Sequence, residues 1–234
     1  MGSILNWVLY RYGILFARGK ALSQVLVVAS LIGAGTAVVA QDGVTIAALG
    51  DSLTQGYGLP QSDGFTAQLQ AWLTAQGQDI TILNAGVSGD TTTGGLARIE
   101  WTLTPDVDAM IVALGGNDVL RGTAPELARA NLDAILSIAQ TRDIPVLLVG
   151  IAVPENYGVS YKAEFSAIYP ELSQAYDTLY FEDFLQPISK DRDMADALSN
   201  YMQNDGVHPN AQGVALIVED LGPKVIELGA RVSD

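Results

Sequence analysis

The chain has one histidine, His208, and no cysteine. Thiolate nucleophiles, disulfides, Cys-ligated zinc and iron–sulfur clusters are therefore excluded, as is a multi-histidine metal site. Any reaction that needs an imidazole base must run through His208. Asp205 stands three residues earlier, in Asp205-Gly206-Val207-His208-Pro209-Asn210, so one loop can present both side chains. A carboxylate that orients an imidazole makes it a base, and such a base activates a serine hydroxyl, which is a weak nucleophile on its own. Ser52, in Gly50-Asp51-Ser52-Leu53, is the serine placed for this. Acyl transfer also needs hydrogen-bond donors for the oxyanion of its tetrahedral intermediate. The Ser52 amide, the Gly89 amide and the side-chain amide of Asn117 can supply three. At position 89 the missing Cβ lets backbone approach a substrate closely.

Each of these blocks alone is ordinary turn chemistry. Their significance comes from the elements that precede them. Val44–Leu49, Ile80–Leu83, Ala109–Leu114 and Val146–Ile151 are short apolar runs that read as buried strands, with Leu179–Phe181 as a short fifth. Between them lie helical patterns: Phe65, Leu69 and Trp72/Leu73 closed by Gly77, then Thr91–Leu103, Pro125–Thr141, Tyr161–Tyr176 and Ala211–Leu228. Pro170 is expected to kink or split the fourth of these. Alternating strands and helices with continuous apolar strands predict an α/β fold, a parallel sheet covered on both faces. In such sheets ligands bind beyond the carboxyl ends of the strands. The Ser52, Gly89 and Asn117 blocks follow the first three strands, and the Asp205/His208 block precedes the last helix.

Competing chemistries fail on specific residues. A nucleophile elbow needs Gly-x-Ser-x-Gly, but Thr54 stands where the second glycine belongs. No P-loop occurs, and Gly56-Tyr57-Gly58 has Gln61 where a dinucleotide fingerprint needs a third glycine. An all-oxygen calcium site at Asp191, Asp193 and Asp196 is the one metal option, and a solvated acidic face is the preferred reading there. No metal and no cofactor is expected. The chain has 234 residues and a formal net charge of −14, from 12 Lys and Arg against 26 Asp and Glu. Such a surface repels phosphate backbones, so nucleic acid is not an expected partner. At 49% hydrophobic and 16% charged, the sequence is that of a folded domain.

The first forty residues are a separate object. No acidic residue occurs before Asp42, while Arg11, Arg18 and Lys20 lie within the first twenty positions. Ala21 to Ala40 is uncharged and mostly apolar, and Val38-Val39-Ala40 ends it in a form suited to a signal peptidase. These are the three parts of a secretory signal. The expectation is a leader over 1–40, cleaved after Ala40, and a catalytic domain over 41–234 that is periplasmic or secreted. The alternative is a membrane anchor formed by residues 21–40.

Gly50–Leu59, Gly-Asp-Ser-Leu-Thr-Gln-Gly-Tyr-Gly-Leu, resembles the first block of the GDSL, or SGNH, hydrolases. The resemblance continues through the Gly89, Asn117 and Asp205/His208 blocks and extends from about Ile46 to Leu228. Ser88–Thr92, Gly116–Gly122, Pro154–Gly158 and Ala167–Pro170 are similar to the thioesterase I/lysophospholipase and arylesterase branch of Gram-negative bacteria. The stretch between Phe184 and Met202 matches least well. The resemblance implies Ser52 as nucleophile, His208 as base, Asp205 as its partner, and Ser52, Gly89 and Asn117 as the oxyanion hole. It also implies a three-layer α/β/α sandwich on a flavodoxin-like five-stranded parallel sheet. The function expected is hydrolysis of acyl esters and thioesters: lysophospholipid, aryl ester or acyl thioester. The partners are then a small acyl ester or lipid and a transient lipid surface, with a monomer favoured. The alternatives are a carbohydrate O-acetyl transferase and an inactive binding module on the same fold.

Overall fold

The computed structural model describes residues 43–232. The expected leader and its exit at Ala40 lie outside the described residues. Within them the order is β1 (Val44–Gly50), α1 (Ser52–Gln55), α2 (Phe65–Ala75), β2 (Ile80–Gly86), α3 (Thr92–Thr102), β3 (Ala109–Ala113), α4 (Gly116–Leu120) and α5 (Pro125–Thr141). There follow β4 (Val146–Val149), α6 (Val159–Tyr176), β5 (Leu179–Phe181), α7 (Gln186–Ser189), α8 (Met194–Tyr201) and α9 (Ala211–Ala230). The sheet is fully parallel, in the order β2-β1-β3-β4-β5. The chain winds outward in both directions from β1, so the topological switch lies between β1 and β3.

Successive residues of a strand face opposite layers. Ile46, Ala48 and Ile111 pack with residues of α2 and α9, while Ala47, Leu49, Met110 and Val112 pack with α3, α5 and α6. Burying both faces is why the central strands carry no polar residue in their middles. The cover is incomplete at the β2 edge. Ile80 and Ile82 join the α2–α9 core, but Thr81 and Leu83 on the other face are exposed, Leu83 at 40%. The expectation of two covered faces fails there.

Local chemistry sets the helix ends. Thr91 caps α3 by accepting from the Gly94 N–H, Pro125 opens α5, and Asn210 caps α9 by accepting from Gln212 and Gly213. Helix α6 is longer than expected, starting at Val159, and Pro170 does not split it. Both flanks of Pro170 are anchored in the core by the buried Phe165, Ile168, Tyr169 and Leu172, which offsets the lost N–H. Strands β3 and β4 stop short, at Ala113 and Val149, because the chain turns there toward the carboxyl-end surface. Four helices, α1, α4, α7 and α8, lie where the sequence reads as loop. Each has eight residues or fewer, too short to show a repeating apolar face.

Candidate active site

Ser52 is the first residue of α1, directly after β1. Asp51 caps this short helix, its Oδ1 accepting the Leu53 N–H at 3.0 Å. Behind the turn there is no room for a side chain at Gly86, where a Cβ would meet the backbone of Gln55 and Thr54. That close approach holds α1 against the end of β2. Arg98 then fastens the strand ends from α3. Its guanidinium donates to the Gly50 carbonyl at 2.9 Å, the Ala85 carbonyl at 2.7 Å and Asp90 Oδ2 at 2.7 Å. No motif in the sequence marks Arg98, because its work is done on backbone carbonyls.

The imidazole of His208 reaches Ser52 across 156 residues of chain. Ser52 Oγ lies 2.9 Å from His208 Nε2, and Asp205 Oδ2 lies 2.7 Å from His208 Nδ1. Asp205 Oδ1 accepts the backbone N–H groups of Val207 and His208 at 2.9 and 3.0 Å. The His208 backbone N–H, the His208 ring and the Val207 N–H, in that order, lower the Asp205 pKa to about 2. An ionised carboxylate only accepts hydrogen bonds. His208 Nδ1 must therefore carry the proton, which leaves Nε2 to accept from the Ser52 hydroxyl. The hairpin that carries the pair is closed at its base by an antiparallel bridge, Met202 to Pro209. It is joined to the Ser52 loop through Gln203, whose Nε2 donates to the Tyr57 and Pro209 carbonyls at 2.8 and 3.0 Å. The Tyr57 ring packs on the imidazole, centroid to centroid 4.7 Å.

Gly89 and Asn117 arrive at the same cleft from the ends of β2 and β3. Gly89 has φ of 80°, a conformation that favours glycine, and its carbonyl is held by Arg121 Nη2 at 2.8 Å. Asn117 donates from Nδ2 to Asp51 Oδ2 at 3.2 Å. Because Asp51 has only acceptors to offer when ionised, this bond sets which end of the Asn117 amide is the donor. The second Nδ2 hydrogen remains for the cleft. Burial pushes the Asp51 pKa up, against the lowering effect of the Leu53 N–H and of Asn117. Next to it Asp118, fully buried, accepts the Thr92 hydroxyl at 2.7 Å and the Thr92 N–H at 2.8 Å, which ties α4 to α3.

Ser52, Gly89, Asn117 and His208 line one cavity of about 370 Å³, walled mainly by apolar side chains including Leu53, Val119, Ile151, Pro154, Phe184 and Leu185. Asp205 stands behind His208 and does not line it. All five residues singled out from the sequence thus meet at the carboxyl ends of the strands. Asp51, Arg98, Arg121 and Gln203 were missed as site residues. Asp51, beside Ser52, and Arg121, in the Gly116–Gly122 block, carried a signal that could have found them, whereas Arg98 and Gln203 did not. In the α7–α8 region, Asp193 caps α8 through the Asp196 N–H at 2.8 Å, and Arg192 lies 3.9 Å from Asp196. Among the described residues no group of three or more acidic or His side chains is arranged to hold a metal ion, and no helix is long and apolar enough to cross a membrane.

The sequence model of the GDSL-like lipase/acylhydrolase family matches residues 48–216. Esterase TesA of Pseudomonas aeruginosa is 37% identical over 180 residues, covering 76% of this chain and 86% of that protein. Thioesterase 1/protease 1/lysophospholipase L1 of Escherichia coli K12 is 34% identical over 177 residues, covering 75% and 80%. Among solved structures, the SGNH-hydrolase family esterase AlinE4 superposes with a TM-score of 0.64 at 42% identity, covering 80% of this chain and 97% of that one. The match runs through every strand end that carries a cleft residue. With that coverage, and with a serine, an imidazole and a carboxylate joined in one hydrogen-bonded row, the chain belongs to the GDSL-like lipase/acylhydrolase family of serine esterases.

Proposed function

We propose that the protein hydrolyses acyl esters and thioesters through a covalent acyl-enzyme on Ser52, with lysophospholipids, aryl esters and acyl thioesters as its substrate classes. The observation that carries this is the row Ser52 Oγ to His208 Nε2 to Asp205 at 2.9 and 2.7 Å, opening on an apolar cleft. In the first half-reaction Ser52 Oγ forms a bond to the acyl carbon while His208 Nε2 takes the hydroxyl proton. The carbonyl oxygen becomes an oxyanion, facing the Ser52 and Gly89 N–H groups and Asn117 Nδ2. The bond to the alcohol or thiol then breaks, and the leaving group departs with the proton from His208. Water attacks the acyl-Ser52 ester by the same route, releasing the acid. Asp205 stays ionised throughout and holds the ring. The apolar walls receive the acyl chain.

The natural site of action follows from the leader: residues 1–40 direct export and are cleaved after Ala40, leaving 41–234 in the periplasm or outside the cell. An exported enzyme meets lysophospholipids and external esters rather than cytosolic acyl thioesters. Ser52→Ala tests the chemistry. The variant should fold, show background hydrolysis of p-nitrophenyl esters from C2 to C16, of lysophospholipid and of acyl-CoA, and escape labelling by an organophosphonate that modifies the wild type at Ser52. Retained activity, or labelling at another serine, overturns the assignment. N-terminal sequencing of periplasmic protein should begin at Gln41. Residue 1 or 2 at the N-terminus of membrane-bound protein would instead support the anchor.

A further inference from the structure

Asp183 follows β5 and lines the same cleft as Ser52 and His208. Its Oδ1 accepts the Ala152 N–H at 3.1 Å and the Leu185 N–H at 3.0 Å, tying the loops after β4 and β5 together. An asparagine would make both bonds through its carbonyl oxygen without placing a charge among apolar walls. The two bonds need an acceptor but not a full charge. Among the described residues no group donates to Oδ2, and none of the ion pairs includes Asp183. The charge nearest in sequence is Glu182, of the same sign. Burial raises the Asp183 pKa, with the Glu182 charge adding to the rise and the two backbone donors opposing it. Its free oxygen is not sealed inside the protein but lies open at the cleft, where a carboxylate without a counter-charge is complemented by a cation delivered by whatever enters. The net charge of −14 favours the approach of such a ligand.

We infer that Asp183 forms a cation subsite, and that the enzyme prefers esters carrying an ammonium group on the arm of the substrate that lies over the β4–β5 end of the cleft. This rests on the esterase reading above. Ser52 follows β1 and Asp183 follows β5, three strands away in the sheet order. At the usual strand spacing the ammonium then sits on the order of 10 Å from the scissile carbonyl. Two substrate types present that chemistry: an ester whose alcohol part ends in choline, and an ester whose acyl chain ends in an ammonium.

The test measures kcat/KM for two matched pairs. Short-chain lysophosphatidylcholine is compared with lysophosphatidylglycerol, both below their critical micelle concentrations. The p-nitrophenyl ester of an ω-trimethylammonio-octanoyl acid is compared with its tert-butyl carbon isostere. Wild type should favour the cationic member of at least one pair by about tenfold, the worth of one charge-assisted contact, and the pair that responds tells which arm reaches Asp183. Asp183→Asn keeps the acceptor for Ala152 and Leu185 and should bring that ratio close to one. Should the Asn variant fail to fold, Asp183→Ser takes its place. Equal rates within both pairs in active wild type, or a preference that survives loss of the carboxylate in a folded variant, overturns the subsite while leaving the esterase reading intact. Absence of hydrolysis of any ester overturns that reading and the subsite with it.

Discussion

Replacing Asp51 by Asn should separate catalysis from stability. Asp51 Oδ1 must keep accepting the Leu53 N–H, since that bond caps α1, so the new amide nitrogen takes the place of Oδ2. There it faces Asn117 Nδ2, donor against donor, at a contact now 3.2 Å long. The Asn117 amide relieves this by turning over, which presents its oxygen to Asn at 51 and withdraws Nδ2 from the cleft. Loss of one oxyanion donor costs about 10²–10³ in kcat, roughly 2.7–4 kcal/mol, with KM little changed because ground-state binding is mostly untouched. Stability should move the other way. Asp51 is 4% exposed and burial raises its pKa above the ordinary 3.8. The stability tied to it is fully present below pH 3.8 and lost as pH rises through the folded-state value. Asn carries no such penalty, so at pH 7 the variant should melt at or above the wild-type temperature, and the difference should vanish in acid. Asn117→Ala supplies the contrast. It should lose a similar factor in kcat, but it leaves a buried carboxylate oxygen without its donor, at a cost of about 1–3 kcal/mol. Steady-state kinetics on one short-chain ester, with thermal unfolding at pH 3 and pH 7, reads both. An Asp51→Asn enzyme within about fivefold of wild-type kcat would refute the orienting bond, and so would a rate loss accompanied by a fall in melting temperature.

The remaining expectations concern the imidazole partner and the buried network. Asp205, held at about 2, stays ionised across the working range, so kcat/KM should show no acid limb from a carboxylate near the ordinary 3.8, and such a limb would contradict this. Asp205→Asn should lower kcat by about 10⁴, because an amide donor facing Nδ1 selects the tautomer that cannot take the Ser52 proton. What stability Asp205 contributes is present above pH 3.8 and is lost as pH falls toward 2, which acid unfolding would show as a difference between wild type and variant that stands above that window and closes across it. Thr92→Val removes the hydroxyl donor to buried Asp118 and the acceptor for Asn131. It should cost about 1–3 kcal/mol, read as a lower melting temperature, and an unchanged melting curve would show that the network has relaxed around the loss.

The sequence disclosed this architecture where burial is two-sided and the spacing is regular. Residues 46–50 and Ala109–Ala113 are apolar throughout because both faces are covered, and Pro125–Thr141 repeats its apolar side chains along one face. The five residues singled out were legible for a related reason: the Ser52, Gly89 and Asn117 blocks each follow an apolar run with turn residues that packing does not require, and the one histidine of the chain has a carboxylate three residues before it. What stayed hidden acts at a distance. Arg98 is one arginine on a helix until its carbonyl partners on two strands are in view. Gln203 is one amide in a loop, and Asp183 is one carboxylate beside another, Glu182, just after a short strand. The uncovered face of β2 was equally unreadable, since an edge strand and a central strand differ by what lies beside them rather than by their own residues.

The closed hairpin that carries Asp205 and His208 has a mechanical consequence. Its base is pinned at Met202 and Pro209, and the Gln203 N–H donates to the His208 carbonyl at 2.8 Å, so carboxylate and imidazole share one rigid frame. The Gln203 side-chain amide, donating to the Tyr57 carbonyl, latches that frame to the nucleophile loop. Warming should therefore open one gap, between Ser52 and His208, long before it disturbs the pairing of His208 with Asp205. An enzyme built this way idles by unlatching: the proton acceptor keeps its correct tautomer on Asp205, and restoring one contact returns it to working distance.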